Sequence, residues 1–65
     1  MGYTEQDSIE AGLRFKSPSG MTVETTGSTS YIDAHSMHVH EVKIVEGEWA
    51  GETFLLNLDY AELLS

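Results

Sequence analysis

The sequence predicts a small, mostly-β domain, and three observations carry that expectation. Apolar and polar residues alternate with period two over 13–16, 21–26 and 52–60. Valine and isoleucine recur through 37–45, as the pleated surface of a strand favours. The glycines and the single proline fall between these stretches and not inside them. Sixty-five residues suffice for one domain, so residues 1–11 are read as an N-terminal tail or short helix and residues 12–65 as a single small β domain.

In the first segment Thr4 can cap a helix, with Asp7 near the third position where an acidic group suits the positive helix end. Gly12 can then stop it. Two turns do not hold alone in water, so Tyr3 and Ile9, the sizeable apolar residues there, must anchor it or leave it loose. From Gly12 on, Leu13 and Phe15 point one way and Arg14 and Lys16 the other. Ser17-Pro18-Ser19-Gly20 reads as a turn, proline setting one φ and glycine supplying a positive one. Met21, Val23 and Thr25 then alternate with Thr22, Glu24 and Thr26, which completes a hairpin. Gly27 to Ser36 is rich in serine, threonine and glycine and reads as a long connection, with Tyr31 and Ile32 allowing at most one short strand. Met37 to Val45 is the next strand, and Glu46 to Gly51 a turn with two glycines. Glu52 to Tyr60 has the most regular alternation of all. Asp59 followed three residues later by Glu62 has capping-box spacing for a final helical turn. The expected inner face is Leu13, Phe15, Met21, Val23, Val42, Ile44, Phe54, Leu56, Leu58 and Tyr60.

Hairpin, long loop, hairpin and short turn over Gly12 to Leu64 resemble, in architecture, an SH3-like small barrel. The expected fold is therefore an SH3-like barrel or a strongly curled antiparallel sheet of four to five strands. The alternative is an α+β arrangement with an N-terminal helix packed on the sheet. SH3-like barrels serve peptide binding, nucleic-acid binding and purely structural roles, so the resemblance leaves function open.

Charge narrows the partners. Eleven acidic residues oppose Arg14, Lys16 and Lys43, for a formal net charge of −8. Nucleic-acid binding works by releasing counterions from several phosphates, which needs more cations than this chain has. The same shortage speaks against anionic membrane surfaces. No apolar run approaches the ~18 residues of a membrane span, and the opening Met1 to Ala11 is polar, unlike a secretory leader. The expectation is a soluble, cytoplasmic protein whose acidity serves solubility, as in halophilic adaptation, or attracts a basic partner. A chain this short buries only about 60% of its unfolded surface. Without cysteine, disulfides and thiolate metal sites are both excluded. Tight packing, self-association or a histidine-carboxylate metal site remain as the means of stabilisation.

His35, His38 and His40 form the one local cluster. On a strand, residues two apart share a face about 7 Å from each other, so His38 and His40 can reach one ion, with His35 or Asp33 arriving from the loop. Imidazole ligands suit Zn²⁺. Glu41 falls on the other face. The competing reading has the histidines making ordinary hydrogen bonds on the face that Val42 and Ile44 share, with a titratable, pH-responsive role as a further option. Trp49, in a turn, either folds back over the core or stands exposed with Tyr31 and Glu48 as a partner-binding face. No nucleophile elbow, phosphate loop or dinucleotide-binding glycine pattern occurs, so no enzyme is expected. A non-enzymatic protein-interaction module is the leading functional expectation. A histidine-based divalent-metal domain is the alternative, followed by an acidic nucleic-acid mimic, which the scattering of the acids along the chain disfavours.

Overall fold

A computed structural model of the protein describes residues 2–64; the outermost positions of the 1–11 and 12–65 segments lie outside the described residues. The strands are β1 (Arg14–Lys16), β2 (Thr22–Ile32), β3 (Met37–Ile44), β4 (Thr53–Leu56) and β5 (Glu62–Leu63). They form one sheet in the order β4-β3-β2-β1-β5, and every neighbouring pair is antiparallel. The mostly-β expectation and its upper count of strands are met. β4 and β5 lie at opposite edges and are not paired with each other, so the ladder does not close into a barrel.

The stretch from Gly27 to Ser36 is not a long loop. β2 runs on through it, pairing Thr29 with His40, Ser30 with Val39, Tyr31 with His38 and Ile32 with Met37. The register shifts between Thr25 and Thr29, and Gly27 takes a φ of 94° at that irregularity. A glycine inside a strand often marks such a bulge. The flanking Ser28 and Ser30 are exposed, which hides the strand from any search for apolar periodicity. Asp33–His35 makes a single 3₁₀ turn, closed by Ser36 in the left-handed region, and β3 returns alongside. The chain is thus a four-stranded meander, and β5 comes back to β1. Eleven residues at about 3.3 Å each account for the molecule's long axis of 32 Å.

The stretch expected as one strand over 52–60 stops at Leu56. The Asn57 side chain accepts the Asp59 N–H at 3.0 Å and caps a 3₁₀ turn over Leu58–Tyr60. Asp59 is therefore not the cap, and Glu62 lies in β5 and not in a helical turn. The chain leaves the sheet here because β5 must pair with β1 on the far side of the sheet from β4. Leu58 is buried in the core on the way, while Tyr60 is 75% exposed and does not belong to the inner face. Every other residue of the expected inner face joins the core or packs against it.

The N-terminal segment is neither a two-turn helix nor a loose tail. Tyr3–Glu5 forms one 3₁₀ turn with Gly2, not Thr4, at the cap position. The Asp59 carboxylate accepts the Tyr3 N–H at 2.8 Å, the Thr4 hydroxyl at 3.0 Å and the Thr4 N–H at 3.3 Å. Gly2 lies so close to this carboxylate that a Cβ there would sit 2.5 Å from Oδ2. The Tyr3 ring meets Phe15 edge to face at 5.4 Å, a favoured aromatic geometry. Ile9 also packs on the core. The segment thus covers the sheet as the α+β alternative requires, but without an α-helix.

The Tyr3 N–H is the main cause holding the Asp59 carboxyl below its ordinary pKa; partial desolvation opposes it, and Thr4 adds to it. A carboxyl depressed by folding contributes stability above its unfolded pKa and loses it as pH falls through its folded pKa. Asp59→Asn removes that contribution. The stability gap between wild type and Asp59→Asn is expected to be constant above about pH 5 and to shrink as the solution is acidified. Urea unfolding at a series of pH values measures it, and a gap independent of pH would show that the carboxylate does not stabilise the turn.

Candidate functional site

The histidines come first, since strand parity marks them. His38 and His40 share the face of Val42 and Ile44, and His40 is completely buried. Its Nε2 lies 2.9 Å from the Tyr3 carbonyl oxygen. A carbonyl only accepts, so Nε2 carries the hydrogen and donates it. Nδ1 pairs with the Thr29 hydroxyl at 2.8 Å, a group that can donate or accept. Thr29 is the cross-strand partner of His40, so the bulged register of β2 is what delivers that hydroxyl. His38 donates from Nδ1 to the Thr4 carbonyl at 3.2 Å, and its ring leans on Tyr31 with centroids 4.8 Å apart. His35 is exposed in the turn between β2 and β3.

Both ring nitrogens of His40 are thus engaged by the protein. Among the described residues no three histidine or carboxylate side chains gather as a metal-holding group. His38 and His40 hold the N-terminal turn against the sheet. The sequence marked the face correctly, but their partners, the carbonyls of Tyr3 and Thr4, lie 37 and 34 positions away and carry no residue-type signature.

Trp49 occupies the loop between β3 and β4. Ile44 N–H donates to the Glu52 carbonyl at 2.9 Å and Gly51 N–H to the Ile44 carbonyl at 2.8 Å. Gly51 has a φ of 98°, open to glycine and strained for other residues. Val45 N–H bonds the Thr22 carbonyl at 3.1 Å, and the Thr22 hydroxyl donates to Glu46 at 2.6 Å, so the loop is tied to β2. On this frame Trp49 remains 61% exposed. It borders an open groove of about 370 Å³ whose other lining residues are Met21, Ile44, Glu52, Thr53 and Phe54. Glu48, next in the loop, is exposed. Tyr31 is exposed too, but near the opposite end of the β2–β3 ladder. The structure therefore brings Trp49 and Glu48 to one place and does not bring Tyr31 to them.

No protein-family model matches the chain, and neither does any curated protein or solved structure. A second open groove, about 440 Å³, is lined by the Ser17–Gly20 turn, Lys16, Asp59, Tyr60, Ala61 and Glu62. It is larger, but its Asp59 carboxylate is committed to the N-terminal turn and the Ser17 hydroxyl to the Met21 N–H. The Trp49 groove differs in having apolar core-edge side chains and an indole with no hydrogen-bond partner among the described residues. Among the described residues no helix is long and apolar enough to cross a membrane.

Proposed function

We propose that the protein is a small, non-enzymatic interaction module that grips a partner protein at the Trp49 end of its sheet. One observation carries this reading: a tryptophan 61% exposed beside Met21, Ile44 and Phe54, with the carboxylate of Glu52 in the same groove. Tryptophan dominates binding energies where it closes over a partner's side chain, and its ring face attracts cations. Glu46, Glu48 and Glu52 add negative charge along this loop. The combination suits an apolar side chain flanked by lysine or arginine. Strand order, the long bulged β2 and a 3₁₀ turn between β4 and β5 support reading the fold as an opened SH3-like barrel, an architecture that leaves sheet edges and loops free for partners.

Nucleic acid and anionic membranes stay outside this reading. Of the few cations, Arg14 is already paired with Glu24 at 3.1 Å. With a net charge of −8, association with a basic partner should be fast at low salt and weaken as salt rises.

Selection from a random peptide-display library tests the proposal. Peptides recovered on the wild-type protein are expected to combine an apolar residue with lysine or arginine. They should bind Trp49→Ala at least tenfold more weakly, while the variant's far-UV circular dichroism is unchanged. Equal affinity for a folded Trp49→Ala would remove the groove from the binding surface.

A further inference from the structure

We propose that the partner docks by strand addition: an extended segment rich in lysine or arginine pairs with the free edge of β4 and lays alternate side chains along the Trp49 groove. The inference rests on the groove being the binding site and adds how the partner is held and what it is.

The phase of the ladder shows which backbone groups are free. Ile44 N–H donates to the Glu52 carbonyl, which marks that position as hydrogen-bonded. Hydrogen-bonded and non-bonded pairs alternate along antiparallel strands. With Val42 opposite Phe54 and His40 opposite Leu56, Phe54 and Leu56 turn their backbone groups to β3. Thr53 and Leu55 turn their N–H and C=O outward, where the sheet has no further strand among the described residues. Two donors and two acceptors thus stand in a row beside the groove, which Thr53 and Phe54 help to line.

This edge has neither a charge nor a proline of its own. Native sheets blunt their edges with short strands, charges, proline or bulges. β5 is two residues long and carries Glu62. β4 is Thr-Phe-Leu-Leu, and Leu55 on it is 50% exposed. Side chains of an added strand would alternate in step with β4. One set would lie on the side of Phe54 towards Trp49, the other beside Thr53 and Leu55.

Charge selects the occupant. The loop that leads into β4 carries Glu46, Glu48 and Glu52 and no base. A second copy would bring the same carboxylates and the same net charge of −8. A basic, extended segment of another protein gains from both the charge and the backbone row.

The test uses the ¹⁵N-labelled protein and a capped heptapeptide alternating lysine and valine, followed by NMR. Shifts of the Thr53 and Leu55 amides with slowed hydrogen exchange, together with a shift of the Trp49 indole N–H, are expected. Leu55→Pro removes one outward N–H that β3 does not use, a position where an edge strand tolerates proline, and should weaken binding at least tenfold. The same peptide with alternate amides N-methylated should lose as much on the wild-type protein, which keeps the test decisive if Leu55→Pro folds poorly. A Trp49 shift with silent Thr53 and Leu55 amides would overturn strand addition and leave the groove reading standing. Silence at all three would overturn both. Equal binding of a heptapeptide alternating glutamate and valine would overturn the basic occupant. Protection of the edge amides by raising protein concentration alone would assign the edge to a second copy and overturn the proposal.

Discussion

Phe15→Ala is expected to lower the unfolding free energy by about 3–5 kcal/mol. Phe15 is fully buried at the centre of β1, paired with Val23 on one side and Leu63 on the other. Its ring also receives Tyr3 edge-on. Truncation would leave a cavity where the sheet, the N-terminal turn and the Leu58 crossover converge, and a single thin core can close such a gap only in part. For a chain of this length total stability is about 3–10 kcal/mol, so one side chain carries from a third of it to all of it. Urea unfolding followed by far-UV circular dichroism is the appropriate measurement. A loss under about 1 kcal/mol would match an ordinary surface substitution and contradict the central place of Phe15.

The second large effect is expected at His40. His40→Leu keeps roughly the volume but removes one of the two hydrogen bonds to the Tyr3 carbonyl and takes the imidazole partner from the Thr29 hydroxyl. A lost hydrogen bond costs about 0.5–1.5 kcal/mol and a polar group left unpaired about 1–3 kcal/mol, so a loss of about 1–3 kcal/mol is expected. The Tyr3 turn should loosen with it, seen as faster hydrogen exchange at Gln6, whose N–H bonds the Tyr3 carbonyl at 3.1 Å. A Thr29→Val partner closes a double-mutant cycle, and a coupling of at least about 0.5 kcal/mol would identify the pair as acting together. Additive losses would show the hydroxyl to be a bystander.

How far the sequence could be read follows from where each signal resides. Local alternation placed β1 and the first half of β2, and the β-branched run placed β3, because Leu13, Phe15, Val23, Val42 and Ile44 each declare a face by type alone. It failed where polar residues pair as strands: Ser28, Thr29 and Ser30 carry no apolar code, and Gly27 looks like a turn although it sits in a bulge. It failed again beyond Leu56, where Leu58 and Tyr60 continue the period of β4 but the chain has left the sheet under the cap of Asn57. The Asp59 contact with Tyr3 and Thr4 spans 56 and 55 positions, beyond the reach of any local spacing rule. For the candidate site, the turn position of Trp49 with Glu48 beside it was legible, but whether the indole folds over the core or stands exposed was not. The distance of Tyr31 from it was not, since that depends on the full length of β2. The histidine spacing correctly implied a shared face, but His40 is satisfied by a hydroxyl and a main-chain carbonyl, and neither announces itself in a sequence.

The position of β1 in the sheet bears on how the chain acquires its structure in time. β1 is flanked by β2, its neighbour in sequence, and by β5, which arrives only with Glu62 and Leu63. The turn that carries Tyr3 waits likewise for Asp59. The β1–β2–β3–β4 meander can zip up from neighbouring segments, whereas the β1 edge and the cover over Phe15 require contacts between segments far apart in sequence. Such long-range closure slows folding relative to local pairing. A growing chain can therefore assemble most of its ladder early, yet it keeps Phe15 incompletely shielded until the last strand has been made.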